Sequence, residues 1–193
     1  MTFKMTKSEK PKPVLAELID DRVMVWDHQE GSRLYNAGYF GKPIGIRKPK
    51  GDSFERPLEL SLIEACYLME KGMIEIYIEK KDNLIKSNVL IKKGKKTISL
   101  FEEKMLVYKD IRNRGLIPRP GLKFGADFAV YQKGPGIDHS PYVITTLEKG
   151  SELTAIELVR AGRLATSVRK RFVIATILAS DEIRYYGFKW DKP

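Results

Sequence analysis

Residues 123–147 read KFGADFAVYQKGPGIDHSPYVITTL. Two stretches rich in β-branched and aromatic residues, FAVY (128–131) and YVITTL (142–147), flank a glycine- and proline-bearing loop, GPGIDHS (134–140), so the segment predicts two strands joined by a shaped connection. Upstream, Ser99 followed by Glu102 has capping-box spacing and predicts a helix through Met105, Tyr108 and Ile111 that stops at Gly115. Downstream, Thr154 with Glu157 repeats that spacing and predicts a helix through Leu158 and Leu164 to about Thr166. RFVIATIL (171–178) and IRYYGFKW (183–190) then read as two closing strands. The second half is therefore helix, strand, strand, helix, strand, strand, the order of a small mixed sheet with helices on it.

The first half reads as a separate mixed α/β unit. Residues 1–12 carry lysines and prolines with nothing to pack and predict a flexible basic leader. Val14 to Trp26 is strand-like, and 38–52 (GYFGKPIGIRKPKGD) is loop-rich. Neither GxGxxG nor GxxxxGK[ST] occurs there, so a phosphate-binding loop for a nucleotide is unsupported. Pro57 sits where a first helical residue would, and Leu58, Leu62, Cys66 and Met69 recur at helical spacing up to Gly72. MIEIYIE (73–79) predicts a strand, and lysine-rich 80–96 a hairpin or linker. These readings give two domains, 1–98 and 99–193.

The chain has 193 residues, with 35 lysines and arginines against 25 aspartates and glutamates, a formal charge of +10. That excess favours a polyanionic partner, nucleic acid first. The lone cysteine, Cys66, excludes an intrachain disulfide and any zinc site built on cysteine pairs, and its place on an apolar helix face reads as core. The N-terminal residues lack the apolar stretch of a signal peptide, and the longest apolar run, 172–179, is too short to span a bilayer. A cytoplasmic protein is expected, with no membrane partner.

Only two histidines are present. His28, in WDHQEG, reads as a solvated turn residue. His139, in the loop between two predicted strands, is either a solvated side chain or one aimed at a ligand from a rigid scaffold. Asp138 beside it supplies no third metal ligand nearby, so neither a metal nor any other cofactor is expected. Glu79 with Lys81 and Glu102 with Lys104 match half of a metal-dependent nuclease signature and read as surface charge. No GxSxG marks a serine nucleophile. From Arg160 to Arg171 and from Arg184 to Trp190, basic and aromatic residues interleave, as a solvated face or as a grip on single-stranded RNA.

KFGADFAVY, GPGIDHSPYVI and RLATSVRKRFVIA, together with PLELSLIEACYLMEKG and the closing IRYYGFKW, give the chain a resemblance to the archaeal tRNA-splicing endonucleases, and within them to the catalytic-type subunit. The resemblance implies an N-terminal mixed α/β domain followed by a C-terminal α/β domain of restriction-endonuclease-like topology with a central mixed sheet. It implies metal-independent cutting of precursor tRNA at bulge-helix-bulge sites, leaving 2′,3′-cyclic phosphate and 5′-hydroxyl ends. The family's tyrosine, histidine and lysine fall on Tyr131, His139 and Lys170, and its base-gripping arginines on Arg163 and, more loosely, Arg184. Asp127 and Lys123 lie in a family motif and are expected to support Tyr131. The resemblance further implies a heterotetramer of two catalytic and two structural subunits, with Asp138 contacting a basic pocket on a neighbour; a homotetramer is the alternative assembly. The competing readings are a non-catalytic RNA-binding or structural subunit of the same assembly and a metal-dependent DNA nuclease.

Overall fold

A computed structural model describes residues 11–47, 49, 51–148, 150–167, 169–178 and 182–188. The predicted leader falls almost wholly outside them, as do Lys189, Trp190 and the side chain of Arg160 from the basic-aromatic stretches. Among the described residues no helix is long and apolar enough to cross a membrane.

The first half builds a six-stranded sheet. The strand-like stretch 14–26 divides into a hairpin, β1 (Val14–Ile19) with β2 (Arg22–Val25); β3 (Lys42–Pro43) and β4 (Leu58–Leu60) extend it, and β5 (Ile74–Ile78) and β6 (Lys80–Ile85) complete the order β3-β4-β2-β1-β5-β6. The β1–β5 pairing is parallel and the others antiparallel, so the sheet is mixed. Three expectations give way here. His28 opens a helix, α1 (His28–Gly38), because the Asp27 carboxylate accepts from the amides of Gln29 and Glu30. The helix predicted from Pro57 starts later, as α2 (Leu62–Glu70), since Ser61 and Glu64 form a reciprocal capping box while Leu58 and Leu60 bury alternate positions of β4. The lysine-rich stretch keeps its hairpin, β5 with β6, but continues as helix α3 (Ser87–Thr97), whose buried stripe is only Leu90 and Gly94.

The second half begins with α4 (Phe101–Asn113). Its start is not the predicted Ser99 box: Leu100 takes a left-handed conformation at the cap, and Glu102 turns to Lys95 of α3, 2.7 Å away. A strand with no sequence forecast follows, β7 (Ile117–Pro120), then β8 (Phe128–Tyr131), β9 (Tyr142–Leu147), α5 (Ala155–Ser167), β10 (Arg171–Ile177) and β11 (Ile183–Phe188). The Thr154–Glu157 box does open α5, with hydroxyl and carboxylate each accepting from the other residue's amide. The sheet order is β11-β10-β9-β8-β7, with β9 and β10 parallel and the rest antiparallel. The proline-bearing β7 occupies an edge, where missing donors cost least. The expected mixed α/β class, with two mixed sheets, is what the chain adopts.

Residues of both sheets share one core, from Val14 and Leu60 to Phe128 and Ile177, with α2 and α4 within it. In β10, Val173, Ala175 and Ile177 join that core, while Phe172 and Ile174 face a second cluster with Val143, Leu158 and Ala161 under α5. Burial on both faces explains why this strand reads as a continuous apolar run. Cys66 is buried, as expected, and burial pushes its thiol up to about 12.

A polar joint crosses this core. Arg119 of β7 donates to the carbonyls of Tyr39 and Gly41, at 2.6 Å for the latter, and lies 3.4 Å from Glu64 Oε1. Glu64, 4 % exposed, also accepts from the Gly41 amide at 3.0 Å. Replacing Arg119 by methionine strands this buried carboxylate, and chemical denaturation should show a loss of about 3–5 kcal/mol. Unchanged stability would show that the joint does not hold the halves together.

Candidate active site

β9 and β10 run parallel, so they start at the same edge of their sheet, and β8, antiparallel to β9, ends there. Val130 pairs with Tyr142 and Tyr142 with Arg171, which places Tyr131, the residues just before β9 and the residues just before β10 side by side. Tyr131, His139 and Lys170, separated by up to 39 positions in sequence, thereby line a single cleft of about 470 Å³. Lys123, Phe124, Asp138 and Ser140 join them, and the first half contributes Tyr35, Arg47 and Pro49.

Each side chain has its own support. Asp138 closes the GPG loop from within: its carboxylate accepts from the amides of Gln132, Lys133 and Gly134 at 3.0–3.1 Å. Burial works against this carboxylate, but the donations from Lys133, Gly134 and Gln132 outweigh it and hold its pKa below the ordinary value. Lys170 donates to the carbonyl of Ser140 at 2.6 Å and to its hydroxyl, which leaves one of three N–H donors for the cleft. The Lys170 and Lys123 ammonium groups lie 4.8 and 4.7 Å from the centroid of the same Phe124 ring. Burial, and then the charge of Lys123, lower the Lys170 pKa. Asp127 braces the start of β8, pairing with Lys104 at 2.8 Å and accepting from the Thr146 amide at 2.7 Å.

The predicted arginines lie elsewhere. Arg163 is exposed on α5, beside an apolar groove with Ile156 and Val159. Arg184 is exposed on β11 opposite Thr176, so along β10 it stands roughly 17 Å from the Lys170 end. Tyr185, in the stretch that reads either as a solvated face or as a grip on RNA, donates to Asp110 of α4 at 2.7 Å, and burial raises its pKa. Among the described residues no three His, Cys, Asp or Glu side chains are grouped to hold a metal ion.

Three cationic groups, two aromatic hydroxyls and one imidazole in a cleft are suited to an anionic backbone and to proton transfer at it. Residues 101–185 match the tRNA intron endonuclease catalytic C-terminal domain, and residues 14–90 match the N-terminal domain of the same enzyme. The chain belongs to the tRNA intron endonuclease family. It is 44% identical over 181 residues to the tRNA-splicing endonuclease of Hyperthermus butylicus and 45% to that of Saccharolobus solfataricus, covering 93% of this chain and 99% of each relative. A Saccharolobus islandicus relative of the same name is 43% identical over the same span. The expectation of an RNA-cleaving enzyme of the archaeal splicing type is met at the level of the family, and the matched C-terminal domain is its catalytic one.

Sequence reasoning missed Ser140, Tyr35 and Arg47 as cleft residues. Ser140 carried a usable signal, adjacency to His139. Tyr35 and Arg47 lie 96 and 84 positions before Tyr131, and only tertiary packing brings them to it.

Because folding lowers the Lys170 pKa, the native state binds less proton than the unfolded chain between that lowered value and 10.5. The charged lysine therefore costs stability at neutral pH, and the cost fades as pH rises through that window. Removing the second cause with Lys123→Gln should raise the Lys170 titration midpoint, followed through its labelled side-chain resonances. An unchanged midpoint would show that the two ammonium groups are not coupled.

Proposed function

We propose that this chain is the catalytic-type subunit of a tRNA-splicing endonuclease, cutting precursor tRNA at bulge-helix-bulge junctions without a metal. The observation that carries the reading is the convergence of Tyr131, His139 and Lys170 on one cleft.

Metal-free RNA cleavage needs a 2′-hydroxyl to lose a proton as it attacks the adjacent phosphorus, and the departing 5′-oxygen to gain one. His139 is the general acid, since imidazole exchanges protons near neutrality. Tyr131 is the base that takes the proton of the 2′-hydroxyl. The free N–H of Lys170 faces the non-bridging oxygens, where charge grows as the phosphorane forms. The products are a 2′,3′-cyclic phosphate and a 5′-hydroxyl.

Arg163 stacks on an unpaired bulge base, a mode that reads shape with little demand on sequence. Arg184, on β11 beside the far end of β10, serves RNA beyond this chain's own cleft, at a second bulge or a neighbouring subunit's site. Two cuts in one substrate call for two cleft-bearing chains at a fixed separation, and we favour a heterotetramer with two structural subunits, working in the cytoplasm. Asp138 has lone pairs left over from its loop amides for a basic group of a neighbour. The two working units divide near residues 98–99, between the end of α3 and the start of α4.

The test is cleavage of a bulge-helix-bulge RNA in excess EDTA, with and without a structural subunit, reading the product ends. His139→Ala should slow cleavage about 10²–10⁴-fold, and Lys170→Ala about 10²–10³-fold. Undiminished cleavage by His139→Ala removes the acid assignment, and loss of wild-type activity in EDTA removes the metal-free mechanism. Arg163→Ala should weaken RNA binding by about 1–3 kcal/mol, read as a rise in Kd with the cleavage step little changed. A monodisperse, active homotetramer of this chain alone would overturn the heterotetramer.

A further inference from the structure

Tyr39 closes α1 in a left-handed conformation (φ 56°), which turns its ring out of the helix and across to the second half of the chain. That ring lies flush against Gly134, the first residue of the GPG loop: a Cβ on Gly134 would sit 2.4 Å from Tyr39 Cε2 and 2.5 Å from Cζ. Gly134 is buried and has φ 136°, so both the close approach and the backbone conformation require glycine there.

Gly134 is also where the loop is tied to itself. Its amide donates to Asp138 Oδ1 at 3.0 Å, and its carbonyl accepts from the amides of Ile137 and Asp138, both at 3.1 Å. His139 is the next residue after this knot. A shift at Gly134 is therefore carried by three hydrogen bonds to Ile137 and Asp138, the two residues that precede His139.

Tyr39 is itself held from three sides. Its carbonyl accepts from Arg119 and its amide donates to the Tyr35 carbonyl at 2.5 Å. Its ring meets Tyr35 edge-on at 5.4 Å, and Tyr35 meets Phe54 in the same way at 5.8 Å. The row Phe54, Tyr35, Tyr39 runs from the β3–β4 connection, across α1, to the loop.

We infer that Tyr39 is a positioning residue for the reaction: its ring braces the GPG loop from the N-terminal half of the same chain and so fixes His139 in the cleft. The N-terminal half then acts on the cleavage step within its own chain, apart from any part it takes in assembly. The inference rests on the reading of His139 as the acid, and its test separates the two.

The full chain in its active assembly is compared as wild type, Tyr39→Ala, Tyr39→Phe and His139→Ala. Single-turnover cleavage is measured at saturating bulge-helix-bulge RNA, and labelled histidine Cε1–H resonances are followed with pH. The chain has two histidines, and His28, exposed at the start of α1, is the internal reference. Tyr39→Ala should slow the cleavage step about tenfold to a hundredfold, the scale of an ångström's misplacement, with RNA affinity changed by less than about threefold. It should move or broaden the His139 resonance and leave His28 in place. Tyr39→Phe, which keeps the ring, should match wild type in both readouts. Tyr39→Leu, which keeps apolar bulk without the flat ring, should shift His139 part-way and replaces the alanine variant if that one does not fold.

A His139 resonance unchanged in Tyr39→Ala overturns the brace, and so does Tyr39→Phe losing as much activity as Tyr39→Ala. If His139→Ala cleaves at the wild-type rate, the acid assignment falls, and the resonance comparison alone decides the brace.

Discussion

Arg119 holds the two halves of this chain in one arrangement. A guanidinium carries five donors in a fixed plane, and here they meet the carbonyls of Tyr39 and Gly41 and the carboxylate of Glu64. Arg112 of α4 repeats the device one step away, donating to the Gly38 carbonyl at 2.7 Å and to the Tyr108 hydroxyl while lying over the Phe40 ring at 4.1 Å. Carbonyls 38 and 39, at the C-terminal end of α1, and carbonyl 41, just before β3, are thus satisfied by side chains from the second half. Apolar packing alone would tolerate sliding between two sheets. Directional donors aimed at fixed carbonyls do not.

The cleft depends on that alignment because its walls come from both halves. The catalytic-domain sheet supplies Tyr131, His139 and Lys170 from strand ends that its mixed pairing brings to one edge, and the first half supplies Tyr35 and Arg47 across the gap. Within the cleft, Ser140 and Phe124 hold the Lys170 ammonium partly out of water, close to a second cation. Such a group is costly to keep charged, and it is most useful where a transition state gains negative charge that bulk water would otherwise have to solvate.

Much of the fold was legible in sequence wherever local chemistry agreed with tertiary packing. The Thr154–Glu157 box, the strand character of 14–19, 142–147 and 171–177, and the burial of Cys66 are of this kind. The misreadings share one cause, a local signal with a competing use. Ser99 and Glu102 have box spacing, but Glu102 goes to Lys95 and α4 starts from Leu100. Leu58 and Leu62 are four apart, as on a helix, yet Leu58 and Leu60 bury in a strand, and the working box is Ser61 with Glu64. IPRP drew no strand expectation, since its prolines remove ladder donors, and an edge position lets it be a strand. In 87–97 the charge of the lysines hides a two-residue apolar stripe.

By itself, the sequence determined a net positive charge that favours a polyanionic partner, and the class of enzyme, through three motifs around Tyr131, His139 and Lys170 that resemble those of the tRNA-splicing endonucleases. Those are properties of residue type and short-range order, which need no folding to be read. Tertiary structure alone decided that these residues share a cleft, that Arg184 stands far from it, that Asp138 ties its own loop, and that Tyr39 reaches Gly134 across 95 positions. Such contacts depend on how strand ends and helix caps meet in space, and the free energy that selects them belongs to the assembled core rather than to any window of sequence.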